Sequence, residues 1–386
     1  MDKQVLEKLI ALLKIDSYAQ KRNNLLEAQL FVKDYLSSVS ITWKTLDSTN
    51  PELAPILLGK SKHWDSNKPT ITLSGHLDIV FPNIDDFDIR IVEDKLYGPA
   101  AVDMKAGVLV ILEVVKRLDS QGVLSNIQIL LTSDEEQYQT KYFPQLEDIA
   151  LSTDYLLVYE GPGSLIQEPD FQAKDLVIKR KGLLGYKLSA KASGGHSGGL
   201  GRKEERHSAI HELIKQSEKI LSLADFSKGT TINIGKFNGG RALNILAEEA
   251  EIQFDARILS ADEFRRIKDE LSQLTPFDPN VEIHLEQLLE GSPVEATQAN
   301  IELHEIAKTA GKKVGLKIGI EEKSGASDMN RLVGFNPRMA SIDYLGPSGG
   351  GEHSSGEFLY LKSFEPCVTL SVELVRSILQ RIDNKA

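Results

Sequence analysis

Five short segments set histidines or acidic residues beside apolar runs, which is where chemistry in this chain would begin. Ser-Gly-His-Leu-Asp-Ile-Val-Phe-Pro carries His76 and Asp78 two residues apart at the end of one such run. In extended chain those two side chains project to one side. A carboxylate there can hold the imidazole and leave its other nitrogen free for a metal, although a solvated loop would also explain the pair. Asp103 stands just before the apolar stretch Gly-Val-Leu-Val-Ile-Leu. It suits a helix N-cap, or a carboxylate whose two oxygens serve two cations. Ser133-Asp134-Glu135-Glu136 follows Ile-Gln-Ile-Leu-Leu-Thr directly. Such adjacent acids are either a solvated turn or a ligand and a general base whose mutual repulsion a dication relieves. Glu160 closes Tyr-Leu-Leu-Val-Tyr-Glu before Gly161-Pro162-Gly163, and His353 sits in the glycine-rich Gly-Pro-Ser-Gly-Gly-Gly-Glu-His-Ser-Ser-Gly-Glu-Phe. Glycines there allow close backbone approach to a site. Together the segments supply two histidines and three carboxylates. Zn²⁺ accepts such nitrogen and oxygen donors, and two such ions about 3.5–4 Å apart can clamp a carbonyl and an attacking water.

The elements that must position these residues follow from the hydrophobic pattern. Apolar runs at 70–73, 127–132, 156–159 and 338–342 predict buried strands, with helices predicted at 24–36 and 107–118. Strands alternating with helices imply an α/β layer with a largely parallel sheet, whose sites lie at the carboxyl ends of strands. From about residue 175 to 291 the pattern changes to alternating strands at 185–191 and 249–257, with helices at 205–223 and 261–274. That order predicts a ferredoxin-like βαββαβ module inserted in the larger domain. The expected domains are therefore 1–175 and 292–386, forming one catalytic domain, and 176–291 as the insert. A final helix is expected at 364–382.

With 386 residues, the chain exceeds one ordinary domain core. A net charge of −11 with interspersed signs and no basic stripe argues against nucleic-acid binding. Its single cysteine, Cys367, excludes an intramolecular disulfide and a thiolate cluster, and lies in an apolar run that buries it. The first residues, with apolar Val5, Leu6, Leu9, Ile10, Leu12 and Leu13, suit an amphipathic helix, since Glu7 and Lys8 interrupt any signal-like core. No run approaches the ~20 apolar residues that span a bilayer, so a cytoplasmic location without membrane partners is the default expectation.

Taken in order, SGHLDIVFP, LYGPAAVDMKAG, TSDEEQ, YEGPG, SGGHSGG and GEHSSGEF resemble the zinc aminoacylase and carboxypeptidase family that includes acetylornithine deacetylase, succinyl-diaminopimelate desuccinylase and glutamate carboxypeptidase. The resemblance covers nearly the whole chain. It implies a di-zinc aminopeptidase-like catalytic domain with an inserted dimerisation or lid domain, and two Zn²⁺ per subunit, with Co²⁺ or Mn²⁺ as substitutes. It implies that His76, Asp103 and Glu160 hold one ion, that Asp103, Glu136 and His353 hold the other, and that Asp103 bridges them. Glu135 would be the general base, and Asp78 would orient His76. The peptide Asp103–Met104 would be cis. His196 would reach an active site, often the partner subunit's, and donate to an oxyanion; the alternative is a flexible hairpin tip. Asn244 and Arg257 fall near positions of substrate or lid contact. The chain departs from the family where Pro99-Ala100 replaces the frequent Arg-Gly, and at Glu352 and Ser354-Ser355-Gly356.

These readings predict hydrolysis of an amide or peptide bond in a small acyl-amino acid or short peptide, by a homodimer of carboxypeptidase or N-acyl-amino-acid deacylase type. A di- or tripeptide aminopeptidase is the alternative within the class. A catalytically silent metal-binding protein is the alternative outside it, and Glu135 argues against that, because a binding module needs no base. A nucleotide-binding α/β protein is disfavoured, because no glycine-rich phosphate loop follows the first strand.

Overall fold

The apolar runs emerge as Ile71–His76, Ile127–Thr132, Tyr155–Val158 and Ala340–Ile342, adjacent strands of one six-stranded sheet. The computed structural model describes residues 1–85, 87–138, 140–162, 170–198 and 206–383. Gly163, Gly199 and Glu205, named above, lie outside them. The four strands run parallel, with Ile71–His76 between the other two long ones. Two further strands, Ile41–Leu46 and Ile56–Ser61, extend the sheet antiparallel. The sequence pattern hides both. The first is a half-exposed edge strand with a polar interior, and in the second Gly59 interrupts the apolar run. Trp43, paired with Gly59, lies across it so closely that a Cβ there would meet the indole at 2.6 Å.

The chain divides into two compact units, Met1–Lys179 with Ala296–Glu322 and Ser327–Ala386, and Arg180–Glu295 with Lys323–Ala326. The first holds the six-stranded sheet. Its core joins Leu9, Leu12 and Leu13 of the first helix, the apolar residues of Ala106–Ser120, and Val368, Leu374, Val375 and Ile378 of the last helix, Phe364–Asp383. Each fully buried aliphatic contributes about 1.5–3 kcal/mol relative to exposure. Cys367 is buried here, its thiol donating to Gly346 O at 3.4 Å.

The main sheet of the second unit has four strands in the spatial order Thr231–Gly239, Glu249–Ile258, Gly182–Lys191, Glu282–Gly291, all antiparallel. Helices Ala209–Leu221 and Ala261–Ser272 complete the ferredoxin-like βαββαβ order. Strict alternation explains the central strand: Ala250, Ile252, Phe254, Ala256 and Ile258 point inward between polar neighbours. Ser260 caps the second helix, which turns Phe264, Ile267 and Leu271 to the core. Among the described residues, no helix is long and apolar enough to cross a membrane.

Candidate metal centre

Register brings the ligand-bearing segments together. His76 pairs with Thr132 across one parallel ladder, and Ser74 with Val158 across the other. The chain therefore leaves all three strands at one sheet edge, carrying His76, Glu135 with Glu136, and Glu160. This is the carboxyl end, where open α/β sheets build sites. His76 is completely buried, with Nε2 3.1 Å from Asp103 Oδ1 and 3.6 Å from Glu160 Oε1.

Asp103 reaches this edge from an irregular turn, residues 101–105, ahead of the helix Ala106–Ser120. It is not an N-cap: the helix begins three residues later, and Asp103 keeps extended-side dihedrals of φ −120° and ψ 91°. The Asp103–Met104 peptide is cis. Gly107 lets the helix start press on the neighbouring strand end, since a Cβ there would lie 2.0 Å from Tyr159 O. Asp103's other oxygen, Oδ2, is 3.0 Å from His353 Nε2, and that imidazole is also 3.3 Å from Glu136 Oε2. Asp103 thus stands between His76 with Glu160 on one side and His353 with Glu136 on the other.

Asp78 does more than face His76. The imidazole Nδ1 lies 3.0 Å from Asp78 O and 3.5 Å from its carboxylate, so the main-chain oxygen is the nearer partner. The carboxylate instead accepts the backbone N–H groups of Glu135 (3.1 Å) and Glu136 (2.9 Å), fixing the turn that presents both acids. From the other side, buried Arg331 grips Asp134 at 3.0 and 2.9 Å and Asp328 at 3.0 Å. Sequence reasoning passed over Arg331 and Asp328, which lie in a stretch with no pattern of its own. It also passed over Glu357, although that residue sits four places after His353 in a motif already singled out.

Five acids and two imidazoles at this edge perturb one another. Burial pushes Glu135 well above the usual carboxylate range, opposed by His76 and reinforced by Glu160 and Glu136. Burial and the Asp103 charge lift Glu136 to about 7. Burial also works against Asp103, yet hydrogen bonds from His353 and His76 hold it below its ordinary value. His353, bonded to Asp103 and Glu136, rises to about 11, and His76 rises despite its burial. Burial and Asp103 lift Glu357 to about 8 against the N–H groups it accepts.

The residues fit bound cations. Glu136 Oε1 is buried without a hydrogen-bond partner. His76, Asp103 and Glu136 offer donor atoms within 4.8 Å of one another, as do His76, Glu135 and Glu160. Positive charge that protonated imidazoles bring here is charge that a dication would supply, releasing those protons.

The remaining candidates belong to the second unit. His196 is exposed on a two-residue strand whose register pairs it with Ile245, and Ser197 N donates to Asn244 O at 2.9 Å, so Asn244 lies in the turn just before the strand that pairs with His196. Arg257, on Glu249–Ile258, donates from Nε to Asp255 Oδ2 at 3.1 Å.

A largely parallel sheet with clustered histidines and carboxylates at the carboxyl ends of its strands, in a chain interrupted by a ferredoxin-like insert, is the arrangement of a metal-dependent hydrolase. The family model described as peptidase family M20/M25/M40 matches residues 72–377, and the chain belongs to that family. An acetylornithine deacetylase of Buchnera aphidicola is 27% identical over 269 residues, covering 64% of this chain and 66% of the relative, just under two thirds of its length. Carboxypeptidase G2 of a Pseudomonas species is 22% identical over 97% of this chain and 89% of its own. Among solved structures, the aminopeptidase PepT of Bacillus cereus shares the fold with a TM-score of 0.75 at 17% identity, covering 98% of each chain. A Staphylococcus aureus tripeptidase does so with a TM-score of 0.74 at 20% identity, over 98% of this chain and 99% of its own.

Proposed function

We propose that this chain hydrolyses an amide or peptide bond beside a carboxylate, as a carboxypeptidase or N-acyl-amino-acid deacylase. The observation that carries the reading is Asp103 placed between two ligand pairs, with Oδ1 at 3.1 Å from His76 and Oδ2 at 3.0 Å from His353. His76, Asp103 and Glu160 would hold one zinc ion, and Asp103, Glu136 and His353 a second, with Co²⁺ or Mn²⁺ as substitutes. Such ions supply Lewis acidity toward a carbonyl and acidify water. Glu135 takes a proton from the attacking water, whose oxygen bonds to the amide carbon. The carbon–nitrogen bond then breaks, and Glu135 returns the proton to the leaving amine. Asp78 and Arg331 hold the turn on which Glu135 stands. His196 donates to the oxyanion, and Asn244 and Arg257 contact the substrate.

Glu135→Gln tests the role directly: turnover should fall by at least about 10²-fold with cation uptake nearly intact. A variant that turns over near the wild-type rate refutes Glu135 as base. Presenting N-acetyl amino acids and unblocked di- and tripeptides separates the two substrate classes. Cleavage of the unblocked peptides alone would replace the deacylase reading with an aminopeptidase. Zinc-loaded protein inert toward the entire panel would make the chain a binding protein.

A homodimer accords with the second unit. Among the described residues, Thr231–Gly239 pairs on one side alone, and Phe237 on it is exposed. The helix Ala209–Leu221 packs on this strand and exposes Ile214 and Leu221. An open edge of this kind is a template for a second copy. Sedimentation of the protein as a monomer at micromolar concentration would exclude it.

A further inference from the structure

Glu357 is almost completely buried, and no step of the reaction proposed above uses it. Its place is set by main-chain pairing. The strand Phe358–Tyr360 pairs antiparallel with Lys95–Tyr97, and Gly98 N donates to Glu357 O at 3.2 Å. That ladder lays the Glu357 side chain over the chain just before Asp103. There one oxygen accepts Val102 N at 2.9 Å and Asp103 N at 3.0 Å, while the other accepts Ala100 N at 3.1 Å. Ala100 has a left-handed φ of 54°, and His353, four residues before Glu357, has one of 59°. Both residues hold a conformation that side chains seldom adopt unaided. A carboxylate taking three N–H groups from one short segment is a strong local restraint.

We propose that Glu357 is a positioning residue that ties the Asp103 turn to the His353 loop, so that Asp103's two oxygens reach both cation sites. The inference rests on the two-cation reading. The sites differ in what else supports them. His76 is buried at the end of a sheet strand, whereas the His353 side chain is 53% exposed on a loop. The site built on His353 and Glu136 therefore depends on the clamp through both Asp103 and its histidine, whereas the one built on His76 and Glu160 depends on it through Asp103 alone and is otherwise held by the sheet.

The test is calorimetric titration of Zn²⁺ into chelator-stripped full-length protein, with kcat and KM measured in parallel. In Glu357→Gln an amide NH₂ replaces one accepting oxygen and faces N–H donors. The expected result is a His353 site weakened by about 10–100-fold, the range for residues that orient ligands, and a His76 site weakened less, with kcat reduced and KM within about twofold. Glu357→Asp, which keeps the charge but shortens the reach, should weaken the same site and carries the test if the glutamine variant does not fold. Glu212→Gln is the control. Glu212 is equally buried and accepts Phe277 N (2.8 Å) and Asp278 N (3.0 Å), but lies in the other unit. It should cost stability and leave both sites unchanged. Two wild-type affinities in both Glu357 variants, or equal weakening in Glu212→Gln, overturn the clamp. Wild-type protein that takes up fewer than two cations overturns the reading beneath it, and the clamp with it.

Discussion

Arg331 offers the sharpest quantitative test of how the turn bearing Glu135 is held. Its guanidinium meets Asp134 at 2.9 Å and Asp328 at 3.0 Å, with side-chain exposures of 0% for Arg331, 0% for Asp134 and 3% for Asp328. Arg331→Met keeps most of the volume and strands two carboxylates in a dry interior, which costs about 3–5 kcal/mol. The comparison is Arg117, whose bidentate bonds to Glu365 are as short, at 2.7 and 2.8 Å, but whose pair is 35% and 49% exposed. Solvent screening makes such a pair worth under about 1 kcal/mol, so Arg117→Met should be nearly silent. Both tryptophans, Trp43 and Trp64, lie in the first unit, and their fluorescence in a urea titration follows that unit alone. Chelated protein should be used, so that cation binding does not mask the difference. Arg331→Met should also lower kcat, because Asp134 adjoins Glu135. A loss in Arg331→Met no greater than in Arg117→Met would refute the reasoning.

Two other outcomes follow from the geometry. Glu263 accepts from Lys228 at 2.9 Å and from Arg266 at 2.7 Å, and these bonds depress its pKa from 4.5 to about 2. A depressed folded-state pKa stabilises above the unfolded value and is lost as pH falls through the folded one. The deficit of Glu263→Gln should therefore be full above pH ~4.5 and vanish toward pH ~2. Hydrogen exchange across Glu249–Ile258 reads this, and a pH-independent deficit contradicts it. Chelation should lower the thermal midpoint of the tryptophan signal, and free Zn²⁺ at about 100 times its Kd should restore about 2.7 kcal/mol. An unchanged midpoint would mean that no cation binds the folded state preferentially.

Much of the architecture was legible because burial leaves a periodic trace. Tyr155–Val158 is a continuous apolar run, and Ile127–Thr132 is one interrupted by Gln128, because both their faces are covered. Glu249–Ile258 alternates because one face is. The strands at Ile41–Leu46 and Ile56–Ser61 left no such trace, since an edge position and the seat of Trp43 on Gly59 tolerate polar and small residues. Asp103 was ambiguous for a related reason: an acid before a helix reads as a cap until the backbone shows the helix starting later.

By itself the sequence singled out the candidate side chains for the chemistry and placed them at element ends. Residue type and local spacing are one-dimensional, and the periodicity of the backbone converts them into faces and termini. Only the tertiary structure decided that Asp78 holds the backbone of Glu135 and Glu136, that Arg331 anchors Asp134, and that Glu357 grips the segment before Asp103. Those partners lie 57, 197 and 254 residues apart along the chain. Hydrogen bonds depend on distances of about 3 Å, and over such separations distance is set by how strands pair and layers pack, which no local pattern records.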